Sequence, residues 1–229
     1  MANADSSHNQ KSLTPAHEDY LKAIYLLESQ GVEVHNSALA HHLDVSPAST
    51  TNMVKRLAEL EMVRYEPYQE IALTEAGTRV ALEVLRHHRL LELYLHKKLN
   101  LPWDQVHAEA ERLEHFISEA LEDAIAAALD DPTIDPHGDP IPTKDGRVEA
   151  VAGIALTVAE VNHPYRLVRV LMQDPDRLTY LGSLGLIPGA TIIPRKRAPF
   201  SGPLLVEVAG EHHALAHDMA EVLIVTPAA

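Results

Sequence analysis

The stretch DDPTIDPHGDPIPTKDG, residues 130–146, holds four prolines (Pro132, Pro136, Pro140 and Pro142) and two glycines in seventeen residues. Proline fixes φ and removes a backbone donor, so neither a helix nor a central strand runs through such a segment. It cuts the chain into two parts of different periodicity. Upstream, apolar residues recur at the spacing of helices. Downstream, the short β-branched runs RLVRVL, TIIPRK, LLVEVAG and EVLIVTP are separated by proline and glycine, which predicts a small β-barrel with DPDRLTYLGSLGL as one inserted helix. The expected fold is mainly α with a C-terminal β domain, and 229 residues suffice for two or three small domains.

At the N-terminal end, Thr14-Pro15 pairs a capping hydroxyl with a proline at the first helical position. The following HEDYLKAIYLLESQG places Tyr20, Leu21, Ile24, Tyr25 and Leu27 on one side before Gly31 ends the helix. Asn36 is positioned to cap SALAHHLD, VSP interrupts, and ASTTNMVKRLAELEMV resumes with Met53, Val54, Leu57 and Leu60. Two short helices around a tight turn form a helix-turn-helix pattern. VRYEPYQEIALT, alternating around Pro67, adds a hairpin wing. Residues 1–75 are therefore expected to form a winged helix-turn-helix DNA-binding domain, with 1–13 a disordered tail.

The second short helix would present Ser46, Pro47, Ala48, Ser49, Thr50, Thr51 and Asn52 to the major groove. Lys55, Arg56, Arg64 and Tyr68 would touch phosphates or sugars. Such small side chains favour thymine-methyl contacts, water bridges and one Asn-to-adenine pair over Arg-to-guanine reading. The formal charge of −14, with five Lys or Arg against eleven Asp or Glu in residues 1–75, excludes a generic polyanion binder. Local presentation must drive binding.

Helical patterns follow from Glu75 to about Lys98 and from Pro102 to Leu129, read as a helical metal-binding and dimerisation domain over 76–147. Residues 148–229 remain for the β domain. A two-fold partner supplies the second half-site reader. Within HAEAERLEH, residues 107–115, a helix turning about 100° per residue puts His107, Glu111, Glu114 and His115 on one stripe. Val106, Ala110, Leu113, Phe116, Ile117, Ala120 and Leu121 cover the opposite arc as an expected buried face. On the preceding helix, His88 and Glu92 form an (i, i+4) pair, so antiparallel packing would gather both sets into a hairpin of metal ligands. Exposed helix faces ordinarily mix Lys or Arg with Glu, but the only base in the stretch is Arg112, which points elsewhere.

The chain has no cysteine, so any metal must be held by His, Asp, Glu or Met. Two rival readings are a solvated acidic face on a metal-free regulator and a metalloenzyme. The H-x-x-E-H signature needs His where Glu111 stands, and a carboxylate-bridged oxygenase bundle needs Glu where Arg112 stands. The histidines His41, His42, His87, His96, His137, His212 and His213 read as surface or core residues rather than ligands.

Taken together, EDYLKAIYLL, SPASTTNMVKRLAELEMV, HHRLLELYL, VHAEAERLEH and DPHGDPIP resemble, in order and spacing, metal-dependent transcriptional repressors of the diphtheria-toxin-repressor and manganese-transport-regulator family. LGSLGLIPGATI resembles the SH3-like domain of its long members. The resemblance implies a non-enzymatic homodimer that binds inverted-repeat operators in double-stranded DNA with a divalent metal as corepressor and controls metal-transport genes. Position by position, it implies a primary metal site of Asp19, Glu111, Glu114 and His115, and a second of His88, Glu92 and His107 completed by Asp174. Lys22 stands where short manganese-type members carry a Glu ligand, and Arg177 where long iron-type members carry a Gln.

Iron-type members place methionine and cysteine at the positions of Asp19 and Glu111. Two hard oxygens there imply Mn²⁺ as the cofactor, with Fe²⁺ the alternative. No apolar run reaches bilayer-spanning length and the N-terminus is polar, so a cytoplasmic protein without membrane contact is expected.

Overall fold

A computed structural model of the chain describes residues 13–67 and 69–228. They fall into two compact units, with the boundary between Val84 and Leu85, inside a helix. No helix among the described residues is long and apolar enough to cross a membrane.

The first unit opens with α1 (Pro15–Ser29), whose Thr14 side chain accepts from the His17 backbone while the His17 ring contacts the Thr14 N–H. Leu13 packs against the core rather than belonging to a free tail; residues 1–12 of the expected tail lie outside the described residues. Next come α2 (Asn36–His42) and α3 (Pro47–Glu59). Asn36 is not the cap of α2 but its first residue: His35 occupies the cap position and makes no side-chain capping bond. Ser46 caps α3 by accepting from Ser49, with Pro47 beginning the helix. The wing is a pair of short antiparallel strands, β1 (Val63–Arg64) and β2 (Ala72–Leu73), paired Val63 to Leu73. Leu21, Ile24, Leu39, Val54, Leu57 and Ile71 form the buried centre of this unit.

Spanning the unit boundary is α4 (Glu75–Leu99). The expected single helix from Pro102 to Leu129 is two helices in the second unit, α5 (Val106–Leu113) and α6 (Glu119–Ala128). The chain turns at Glu114, which is buried and held by His87 and His88 of α4, and the Ser118 hydroxyl caps α6 by accepting from Leu121. The expected apolar arc therefore does not form one buried face. Val106 and Ala110 are buried, but Leu113, Phe116 and Leu121 are 41, 75 and 47% exposed.

The β portion comprises β3 (Ile154–Ala155), β4 (Tyr165–Val170), α7 (Pro175–Ser183), β5 (Thr191–Arg197), β6 (Leu204–Val208), β7 (Glu211–Leu215), α8 (His217–Glu221) and β8 (Leu223–Pro227). Its strands form one antiparallel sheet in the order β3-β8-β4-β5-β6-β7. The sheet has its own core around Leu167, Leu178, Leu181, Ile192 and Val206. The inserted helix is α7; the polar edge strand EHHAL (β7) and the five-residue α8 add to the sequence expectation.

Residues 130–146 are no free linker. Asp135 Oδ1 accepts from the backbones of His137 (2.8 Å) and Asp139 (2.9 Å), curling the segment into a tight loop. The loop is bonded to β4 through Val170 N–H to His137 O at 2.9 Å and through Arg169 to the Asp139 carboxylate at 2.5 Å. Gly138 has φ +85°, and a Cβ there would lie 2.0 Å from the Val168 carbonyl oxygen, so only glycine permits this approach.

Candidate metal centre

The side chains singled out for DNA contact lie mostly where a duplex could reach them. Ser46, Pro47, Ala48, Ser49, Asn52, Lys55 and Arg64 are exposed, and Thr51 and Arg56 are half-buried. Thr50 is a correction: it is fully buried, its hydroxyl donating to Ser46 O (3.2 Å) and lying 3.5 Å from Tyr20 Oη. It belongs to the core because it stands four and seven residues before Val54 and Leu57 on the same helix face. Arg56 is held by Glu59 at 2.7 Å. Tyr68 lies outside the described residues.

The metal-ligating candidates of the second unit meet where α4 packs against α5. His88 Nε2, Glu92 Oε1 and His107 Nδ1 stand at the corners of a triangle with edges of 3.0, 3.0 and 3.1 Å. Each nitrogen carries at most one proton and the carboxylate oxygen none, so hydrogen bonds satisfy no more than two of the three edges. One cation binding all three lone pairs satisfies every corner. Bonds of about 2.1 Å meeting at right angles place donors about 3.0 Å apart, whereas tetrahedral angles require about 3.4 Å. The spacing suits one face of an octahedron.

His88 also faces the other way. Its Nδ1 is 2.5 Å from Glu114 Oε2 and 3.9 Å from Glu111 Oε1, while Glu114 Oε1 is 3.3 Å from His115 Nε2. The two sets assigned to separate sites are thus joined through one imidazole. His115 occupies the turn after α5 rather than a helical stripe. The carbonyl of Glu114 accepts from His87 Nδ1 (3.1 Å), and the other nitrogen of His87 meets Glu122 (3.2 Å), which also pairs with Arg86. His87 is therefore a buried positioning residue. Asp19 is half-buried on α1 in the first unit.

Asp174 is not among the gathered groups. It is exposed and caps α7, accepting from the Arg177 backbone at 2.9 Å, while the Arg177 side chain pairs with Asp218. The β-domain side chains that reach the 130–146 loop are instead Arg169 and Gln173, both directed at Asp139.

The loop itself brings Asp135, which the sequence did not single out, and His137, expected to be a surface or core residue rather than a ligand. Asp135 and His137 are buried against Glu92, and the three form a close group of ligand-type atoms. Burial opposes ionisation of Glu92, but the charge of His88, the bonds from His107 and His88 and the nearby His137 ring outweigh it and hold the carboxyl well below the usual range. Asp135 is pushed well above that range by burial and by the charges of Glu92 and Asp139. Burial lowers the His137 pKa, yet the Glu92 and Asp135 carboxylates and the Trp103 carbonyl raise it overall. The signal in the sequence was the alternation Asp135, His137, Asp139 in a segment that reads as turn chemistry.

Comparison with known proteins extends this geometry. The model of the iron dependent repressor N-terminal DNA binding domain matches residues 12–71, that of the iron dependent repressor metal binding and dimerisation domain 74–143, and the FeoA domain 154–227. The Iron-dependent repressor IdeR of Mycobacterium tuberculosis is 34% identical over 221 residues, covering 90% of this chain and 94% of that protein. Among solved structures, a manganese-dependent transcriptional repressor in complex with manganese aligns with a TM-score of 0.84 at 33% identity, over 93% of this chain and all of the other. The manganese regulator SloR aligns at 0.77 and 29%, over 94% of this chain and all of the other. Three consecutive domain matches and identity sustained along nearly the whole length establish that the chain belongs to the iron-dependent repressor family, whose members are metal-dependent, DNA-binding transcriptional repressors and not enzymes.

Proposed function

We propose that this chain is a manganese-responsive repressor: a homodimer that binds inverted-repeat operators in double-stranded DNA when Mn²⁺ is bound, and so controls metal-transport genes in the cytoplasm. The donor triangle of His88, Glu92 and His107 carries the divalent-cation reading, because its edges suit octahedral coordination, and the choice of manganese rests on the carboxylates of Asp19 and Glu111 at positions where iron-type members carry sulfur. Glu111, Glu114 and His115, with Asp19 contributed by the DNA-reading unit, form the primary ligand set. None of these positions offers sulfur.

A divalent cation supplies the positive charge that lets several carboxylates sit together. The protein's own residues do the rest. Glu114 and His88 connect the two ligand sets, and His87 fixes the Glu114 backbone. Ser46, Pro47, Ala48, Ser49, Thr51 and Asn52 read base edges, while Lys55, Arg56 and Arg64 hold phosphates.

The iron reading draws on the IdeR relatives and on the family model's description. A direct comparison separates the two. Metal-stripped protein is titrated with buffered Mn²⁺, anaerobic Fe²⁺, Co²⁺ and Ni²⁺ against an operator selected from random DNA. Mn²⁺ is expected to give the largest operator affinity. Activation by Fe²⁺ at far lower free concentration, and to a higher affinity than any Mn²⁺ level reaches, would assign the protein to iron.

A further inference from the structure

We propose that Glu92 bridges two divalent-cation sites: the one with His88 and His107 and a further, inner one completed by Asp135 and His137 of the 130–146 loop. Glu92 is fully buried and its two oxygens face different partners. Oε1 serves the His88 and His107 nitrogens at 3.0 and 3.1 Å, while Oε2 looks toward His137 Nδ1 at 3.7 Å, too far for a hydrogen bond.

Three buried atoms converge in that inner space without a hydrogen-bond partner: Glu92 Oε2, Asp135 Oδ2 and His137 Nδ1. Their residues are 0, 4 and 0% exposed. Glu92, Asp135 and His137 form one group in which a ligand atom from each lies within 4.8 Å of the others. Buried polar atoms are nearly always paired, and three orphans sharing one space point to a missing common partner. A cation with bonds of about 2.2 Å spans donors between about 3 and 4.4 Å apart, and the 3.7 Å pair falls inside that range.

The surroundings aim each donor inward. Asp135 Oδ1 is occupied by the two backbone N–H groups of its own loop, which leaves Oδ2 as the oxygen open to a cation. His137 Nε2 donates to the Trp103 carbonyl at 2.8 Å, fixing the ring and presenting Nδ1 as the ligating nitrogen, the usual outer support of a metal-bound histidine. Arg89 is the rival source of positive charge. Its Nε is 3.9 Å from Asp135 Oδ2, and its best hydrogen bond goes to the Pro140 carbonyl at 2.5 Å, so it balances charge without satisfying the oxygen. An ion in the inner site would fasten the loop to α4, and through the His137 carbonyl and the Asp139–Arg169 pair it would fasten β4 as well.

The test uses the full chain and Mn²⁺ alone. Equilibrium dialysis with elemental quantification compares wild type with Asp135→Asn and His137→Phe. The wild type is expected to bind one more ion per chain than either variant, and to show an exchange-coupled Mn²⁺ electron paramagnetic resonance signal that both variants lose. Equal stoichiometry in all three proteins overturns the proposal. If either variant fails to fold, an anomalous map of the Mn²⁺-soaked wild type decides: a peak bonded to Glu92 Oε2, Asp135 Oδ2 and His137 Nδ1 supports the site, and absence of that peak rejects it. Failure of Mn²⁺-dependent operator binding leaves this stoichiometric difference untouched, so the two readings stand or fall separately.

Discussion

Thr50 and Asn52 sit two residues apart on α3 and face opposite environments. The Thr50 hydroxyl donates to Ser46 O beneath the helix, while Asn52 is exposed beside Ser49 and Lys55. Thr50→Val is therefore expected to cost about 1–2 kcal/mol of stability through the lost bonds to Ser46 O and Tyr20 Oη, while operator selectivity stays unchanged. Asn52→Ala is expected to leave stability intact but to lose about 1–3 kcal/mol of discrimination at the base pair it reads. Urea unfolding and competition binding against single-base operator variants measure the two effects; a Thr50→Val protein that loses selectivity would contradict the placement. The sequence showed this helix, while its cap, Ser46, stood within the VSP that read as an interruption. Its rotational phase was also readable, since Val54 and Leu57 mark the face that Thr50 shares, but the row of small hydroxylated residues obscured it.

At the scale of elements, what was legible depended on how local its causes are. A capping Thr14-Pro15 pair with apolar spacing defines α1, and apolar spacing defines α3 and α4, because the residues that stabilise each helix lie in or beside it. The break between α5 and α6 was hidden, because helical periodicity runs on through Leu113, Ile117 and Leu121. What turns the chain is a long-range attachment, with His87 and His88 of α4 holding Glu114. The metal face was legible as residue types at fixed spacing. Asp135 and His137 were not, since they reach Glu92 across more than forty residues of chain. The loop that delivers them depends on the contact at Gly138, and a pair of substitutions isolates that contact. Gly189 also has a left-handed backbone, φ +96°, but open space around it, so Gly189→Ala is expected to cost about 1 kcal/mol from backbone strain alone. In Gly138→Ala the same strain is joined by a clash with the Val168 backbone, and about 3 kcal/mol or more is expected, with earlier proteolysis within residues 130–146. Equal losses in calorimetry would show that the loop does not rest on β4 as described.

For the molecule as a whole, the formal charge of −14 makes DNA binding an unusual electrostatic problem. Among the described residues of the reading unit few cations are free to meet phosphate: Lys55 and Arg64 are exposed, Arg56 is paired with Glu59, Arg79 is paired with Glu75, and Lys22 is buried. An exposed Arg–Glu pair contributes about 1 kcal/mol at most, so a phosphate can displace Glu59 from Arg56. Three contacts from each of two protomers give six, and at about 0.9 counterions released per contact, log affinity should fall with log salt at a slope of about −5. Lys55→Ala removes one contact per protomer and should flatten that slope by about 2, weakening binding alike on operator and unrelated DNA. Glu59→Gln should raise affinity at low salt with little change of slope, because it removes a repelled anion without adding a phosphate contact. Fluorescence anisotropy over a salt series in saturating Mn²⁺ measures all three proteins. A wild-type slope near −10, or a Lys55→Ala slope equal to wild type, would mean that the phosphates are held by residues other than those on α3 and the wing.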